Sequence, residues 1–133
     1  MNYKSNLKNN IELSKNKLSE LVVKDFIIVV DTREQLPYSF SKYAYTITKS
    51  KLDQGDYSIQ GLESIIAVER KSKEDIYGCI GTGRIRFENE LNRLTTIKRA
   101  CVVIESSIMD FVNNPPSYSK VNPISAFRSC ASW

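Results

Sequence analysis

The five residues Phe26-Ile27-Ile28-Val29-Val30 are all apolar and mostly β-branched, and the polar residues Asp31-Thr32-Arg33-Glu34 follow without a break. Such a run predicts a strand buried on both faces. A strand of that kind must sit inside a sheet with both faces covered, which points to an α/β core. Two shorter runs repeat the pattern. Ile65-Ile66-Ala67-Val68 stops at Glu69-Arg70-Lys71, and Cys101-Val102-Val103-Ile104, a second fully buried strand, stops at Glu105.

The remaining elements follow from turn and cap chemistry. Residues 1–24 form a separate N-terminal arm, rich in Asn and Lys over its first half. A short helix is predicted there over Ser14–Val23, with Leu18, Leu21 and Val22 on one side. Tyr43 to Thr48 alternates weakly and reads as a second strand. Gly55-Asp56 turns the chain into the strand Tyr57-Ser58-Ile59, and Gln60-Gly61 turns it back into Ile65–Glu69. Ser72 caps a helix from Lys73 to about Cys79, with Asp75 in its first turn. Three glycines break the segment 78–83. A long helix is predicted from Arg84 to about Arg99, burying Phe87, Leu91 and Leu94. Cys101 and Cys79 read as packing residues. Ser107–Val112 is a helical turn, and Pro115-Pro116 lie in a loop. Asn122-Pro123 reads as the N-cap and first position of a last helix, from which Phe127 and Trp133 pack inward. The expected architecture is a single α/β domain over residues 25–133, a central mixed β-sheet flanked by helices. Its C-terminal end is expected to be incomplete.

Composition removes several classes of chemistry. The chain has 133 residues and no histidine, which excludes histidine general bases and zinc fingers. Any metal would be held by carboxylates, and hard oxygen donors select Mg²⁺ or Mn²⁺. The three cysteines are odd in number and widely spaced, as expected for a reducing compartment. No stretch approaches the roughly 18 apolar residues of a membrane span. No signal peptide is expected, since the N-terminus is polar and mixed in charge. A cytoplasmic location is expected, or a nuclear one in a eukaryote. The net charge of +4 suits a polyanionic partner and equally a plain solvated basic surface.

Residues i and i+2 of a strand share a face, so Glu69 and Lys71 point the same way and Arg70 the opposite way. Glutamate can hold a divalent cation, and a lysine beside it can position water or stabilise phosphoryl charge. Charged residues also end many strands for solvation alone. Asp56, at the head of the neighbouring strand, supplies a second carboxylate that can converge on one cation. Asp31, at the carboxyl end of the most apolar strand, is a possible third. Arg33 can clamp a phosphate or simply pair with a nearby acid. Arg84 and Arg86 open the long helix after Gly81-Thr82-Gly83, where free amide groups favour an anion. No Lys-Ser/Thr follows these glycines, so a nucleotide-binding P-loop is not supported.

Together these words resemble a known family. Val29-Val30-Asp31-Thr32-Arg33-Glu34, Gly55-Asp56-Tyr57 and Glu69-Arg70-Lys71-Ser72-x-x-Asp75-Ile76 are similar to the nuclease domain of the XPF (ERCC4-type) family. The signature there is Gly-Asp, a gap, Glu-Arg-Lys, three residues and Asp, and each position is matched. Gly83-Arg84-x-x-x-Phe87-Glu88-x-Glu90-Leu91-x-Arg93-Leu94 and Val102-Val103-Ile104-Glu105 extend the likeness. Lys120-Val121-Asn122-Pro123 is similar to bacterial and phage members.

The resemblance implies a restriction-endonuclease-like fold and metal-dependent endonuclease activity on DNA. It implies Asp56 and Glu69 as ligands of Mg²⁺ or Mn²⁺ with Asp31 assisting, and Lys71 as the catalytic lysine. Arg70 and Asp75 join the catalytic cluster, with Arg33 and Glu34 at its edge. Family members cut flaps, forks and other branched DNA at duplex/single-strand junctions. Many dimerise and carry a helix-hairpin-helix domain after the nuclease domain. No such pattern follows here, which puts junction selectivity and dimerisation in question; a homodimer or a complex with a partner protein is the candidate assembly. Arg33, Arg84 and Arg86 are the candidate DNA-backbone contacts. A non-catalytic DNA-binding or partner-binding module of the same fold is the alternative. A sequence-specific endonuclease would need recognition elements for which little room exists.

Overall fold

The computed structural model describes residues 26–43 and 46–133. The predicted N-terminal helix lies outside the described residues. The described elements are β1 (Ile27–Asp31), a 3₁₀ turn (Ser41–Tyr43), β2 (Thr46–Ser50), β3 (Tyr57–Ile59), β4 (Ile66–Ser72), α1 (Lys73–Ile80), α2 (Arg84–Leu94), β5 (Arg99–Glu105), α3 (Ile108–Asn113) and α4 (Pro123–Ser132).

The five strands form one mixed sheet in the order β2-β1-β3-β4-β5. β1 runs parallel to β2 and antiparallel to β3. β3 runs antiparallel to β4, which is parallel to β5. β3 alone is reversed, so its first residues lie at the same sheet edge as the last residues of β1, β4 and β5. That edge collects Asp31, Asp56, Lys71 and Glu105. The two parallel pairs need crossovers, and α1 and α2 supply the one from β4 to β5.

The helices bury their apolar side chains in one cluster of Ile76, Tyr77, Phe87, Phe111 and Ala126, against Val102 and Ile104 of the sheet. The Tyr77 hydroxyl donates to the Phe111 carbonyl at 2.7 Å, so a phenol deep in this core keeps its hydrogen bond. Ile28, Val30 and Tyr57 form a second cluster, covered by Tyr38 and Phe40 from the loop after β1. Tyr38 stacks on Tyr57 with ring centroids 5.6 Å apart.

The caps Ser72 and Asn122 stand where the sequence places them, and Ser107, expected as the first residue of a helical turn, is a third cap. Ser72 accepts from the Asp75 amide, Ser107 from Asp110 and Asn122 from Ser125. Four expectations are corrected. β2 begins at Thr46 and ends at Ser50, later than Tyr43–Thr48. The long helix stops at Leu94 and not near Arg99. There the Thr95 and Thr96 hydroxyls take the carbonyls of Asn92 and Arg93, which helix continuation would leave to later amides. The chain then joins the sheet as Arg99 donates to the Ile65 carbonyl. β5 is not fully buried, and Cys101 is exposed and not in the core. An unbroken apolar run marks a central strand only if both faces are covered, and β5 is an edge strand whose inner residues Val102 and Ile104 alone meet the helices. Phe127 is exposed as well, while Trp133 packs edge-on against Phe87 at 5.0 Å and is still 40% exposed. No described helix is long and apolar enough to cross a membrane.

Gly55 makes the turn into β3 at φ +76°, where a Cβ would stand 3.0 Å from the Val68 carbonyl oxygen. Gly61 has φ +80° with open space around it. Gly55→Ala combines left-handed strain with a backbone clash, so it should cost about 2–4 kcal/mol, against about 1 kcal/mol for Gly61→Ala. Urea unfolding midpoints of the two variants check this, and equal losses would contradict the close approach at Gly55.

Candidate active site

The site is built by strand register. Tyr57 pairs with Val68, so Asp56 and Glu69 stand opposite each other one step further on. The Asp56 amide donates to the Val68 carbonyl at 2.8 Å, and the Asp56 carboxylate accepts from the Arg70 amide at 2.7 Å. These two bonds clasp Asp56 to β4 on either side of Glu69. Glu69 is 5% exposed. Lys71 lies on the same face and its Nζ donates to Glu69 Oε1 at 2.7 Å. The same Nζ reaches Glu90 Oε1 of α2 at 3.2 Å.

Burial dominates the electrostatics of this trio. It pushes the Glu69 carboxyl up to about 7, against the hydrogen bond and charge of Lys71, and nearby Asp56 adds to the rise. Burial likewise raises Asp56 against the hydrogen bond from the Arg70 amide. Burial works against the Lys71 ammonium too, but the hydrogen bonds and charges of Glu69 and Glu90 outweigh it and lift its pKa. Desolvated carboxylates gathered around one ammonium are short of positive charge. A divalent cation supplies it, and one or two carboxylates with water and phosphate oxygens suffice for Mg²⁺. The pair Asp56 and Glu69 therefore fits such an ion.

Asp31 is not brought into that pair. Its carboxylate accepts from Arg33 Nε at 2.6 Å, Arg33 Nη2 at 3.0 Å, the Arg33 amide at 2.8 Å and the Leu52 amide at 2.7 Å. The Arg33 guanidinium beside it holds the Asp31 carboxyl down to about 2. Among the described residues no three acidic side chains converge as a ready ligand set. Asp31 instead fastens the strand end: its amide donates to the Asp56 carbonyl at 2.8 Å, tying β1 to the turn that carries Asp56.

Arg70 and Asp75 lie elsewhere. Arg70 points to the opposite face, as strand alternation requires. Its guanidinium bonds Glu105 at 2.8 Å, lies 3.4 Å from Glu34, donates to the Leu36 carbonyl and covers the Tyr38 ring at 4.4 Å. It thereby ties the loop after β1 to the end of β5. Asp75 exchanges hydrogen bonds with Ser72 at the start of α1. Arg70, Asp75, Glu34 and Glu105 line a cavity of about 280 Å³. The predicted cluster is thus split by the sheet into Asp56, Glu69 and Lys71 on one face and Arg70 on the other.

Of the candidate DNA contacts, Arg33 is bound to Asp31 yet its side chain is 67% exposed. Arg84 pairs with Glu88 one turn on and lies 5.4 Å from the Trp133 ring. Arg86 is exposed on the same helix. The residue that sequence reasoning left without a role is Glu90. Its signal was its spacing: one turn after Phe87, which fixes the inner face of α2, it points toward the end of β4.

The fold is α/β, a mixed five-stranded sheet with helices packed on one face and acidic and lysine side chains at one edge. The chain belongs to the ERCC4 domain family, which matches residues 30–132. Among solved structures it is similar to XPF from Aeropyrum pernix, at 21% identity and a TM-score of 0.59, over 80% of this chain and 50% of that one. The same protein in complex with DNA gives 21% identity and a TM-score of 0.60, over 81% of this chain and 50% of that one. The chain spans about half the length of these proteins. No curated protein matches it.

The raised carboxyl of Glu69 has a consequence for stability. The folded chain holds the Glu69 proton up to about 7, whereas the unfolded chain releases it near the ordinary 4.5. Stability therefore falls as pH rises through this window and is lowest above it. Glu69→Gln should be more stable than wild type by on the order of 1–3 kcal/mol near pH 8, and the advantage should vanish below about pH 4. Urea titrations at both pH values check it, and an unchanged or lower midpoint near pH 8 would contradict the desolvation of Glu69.

Proposed function

We propose that this protein is a divalent-metal-dependent endonuclease that hydrolyses DNA phosphodiester bonds and selects its substrate by DNA structure. The reading is carried by one observation: two carboxylates, the buried Glu69 and the half-buried Asp56, share a strand-end face with Lys71. Membership of the ERCC4 domain family supports it, as does similarity to a protein solved in complex with DNA.

Asp56 and Glu69 hold the ion in this reading. An Mg²⁺ or Mn²⁺ ion held there would supply Lewis acidity toward the phosphate and toward a water molecule. Lys71 orients the attacking water or stabilises the charge that grows on the phosphoryl group. Its pKa, lifted by Glu69 and Glu90, keeps it an ammonium at neutral pH. Asp31 acts from the second strand end by anchoring Asp56, and it could ligate the ion directly only by releasing Arg33. Arg70 and Asp75 act through the far side of the sheet, where they hold the loop after β1 and the start of α1. Arg33, Arg84 and Arg86 contact phosphates, which contributes affinity with little sequence information. Branched or junction-containing DNA is the proposed substrate, recognised as a homodimer or with a partner protein.

Cleavage of flap, fork, nicked and plain duplex DNA with Mg²⁺ and with Mn²⁺ tests the reading. Glu69→Ala and Lys71→Ala should each lower the rate by at least about 100-fold while changing DNA affinity by less than about threefold. Cleavage unaffected by both substitutions would exclude this site, and divalent-independent binding without any cleavage by wild type would favour a non-catalytic module. Arg86→Ala should weaken binding to all DNA forms alike and reduce the slope of log affinity against log salt by about one. An unchanged slope would remove Arg86 from the interface.

A further inference from the structure

Lys71 is held between two carboxylates that come from different elements. Glu69 on β4 lies 2.7 Å from its Nζ and Glu90 on α2 lies 3.2 Å away. The Phe87 ring stands 5.6 Å from the same atom. Phe87 is 2% exposed and fixes this turn of α2 against the sheet. Glu90, one turn later, is therefore presented to Lys71 by a packed helix and not by a loop. The Glu90 side chain is 27% exposed, against 7% for Glu69, so Glu90 stands at the outer side of the ammonium.

The charges do not balance within the site. When all ionise, Asp56, Glu69 and Glu90 carry three negative charges and Lys71 one positive. A divalent ion offsets that deficit of two. An ion on Glu69 also competes for the oxygen lone pairs that Lys71 now uses. The ammonium is then repelled by the ion and needs another anion within reach.

We propose that Glu90 is a positioning residue that takes over the Lys71 ammonium when a divalent cation occupies Asp56 and Glu69. The inference rests on the reading of those two carboxylates as the cation site. Glu90 touches neither the ion nor the DNA. It keeps Lys71 beside the site once its contact with Glu69 is lost, and so favours ion binding indirectly.

The test is a calorimetric Mn²⁺ titration of the whole chain without DNA. Wild type is compared with Glu90→Gln, Glu90→Asp, Lys71→Met and the double variant Lys71→Met/Glu90→Gln, with urea midpoints to verify folding. Glu90→Gln should weaken Mn²⁺ binding roughly tenfold, because Lys71 then stays on Glu69. Glu90→Asp should recover most of the loss. In the Lys71→Met background, Glu90→Gln should change affinity by less than about twofold. The same loss with and without Lys71 would mean that Glu90 acts on the ion itself and would overturn the proposal. Equal binding by wild type and Glu90→Gln would overturn it alone and leave the Asp56–Glu69 site standing. Absence of Mn²⁺ binding by wild type would overturn that site and this inference together.

Discussion

The close approach of Gly55 to the Val68 carbonyl is the contact on which the site depends. The positive φ of Gly55 lets the backbone turn directly over β4. The next residue, Asp56, is then clasped at both ends, by its amide on Val68 and its carboxylate on the Arg70 amide. Asp31 secures the other side through its amide on Asp56. Three strands meet at this one turn. A side chain at position 55 would push β3 off β4 and separate the carboxylates.

The same register divides charge between the two faces of the sheet. Glu69 and Lys71 face the helices, and the Lys71 ammonium bridges Glu69 and Glu90. Arg70, between them, faces the other way and clamps the loop after β1 through Glu34, Leu36, Tyr38 and Glu105. The tripeptide Glu69-Arg70-Lys71 is therefore two devices in one strand end. One gathers unmet negative charge on a buried surface, which costs stability and suits a cation. The other is a surface-side brace that keeps the polar loop over the strand ends. Restoring a neutral side chain at Glu69 would relieve the first without disturbing the second.

Much of this was legible in the residues, because it rests on local rules. Alternation placed Glu69 and Lys71 together and Arg70 opposite. Ser72, Asn122 and Pro123 announced their helices through cap chemistry. The burial of β5 was misread because an apolar run reports what a strand tolerates, not whether a neighbour covers it. The end of α2 was misread because its periodic face stops at Leu94, while Thr95 and Thr96 turn their hydroxyls back on the helix. Asp31 looked like a ligand from its position alone. Its bidentate bond with Arg33, two residues on, and the Leu52 amide, far along the chain, together decide where its oxygens point. Glu90 lay in the quoted family word and its spacing from Phe87 put it toward the inner side of α2, but its contact with Lys71 also depends on how α2 sits on the sheet.

The central claim is that Asp56 and Glu69 form one divalent-cation site at the end of the reversed strand. Crystals of the protein soaked in Mn²⁺, with anomalous scattering measured at the manganese edge, address it directly. One strong peak bonded to both carboxylates at about 2.1 Å is expected, and its loss in Glu69→Ala. A peak placed instead among Glu34, Asp75 and Glu105 on the opposite face, or one that persists at Asp56 in Glu69→Ala, would contradict it.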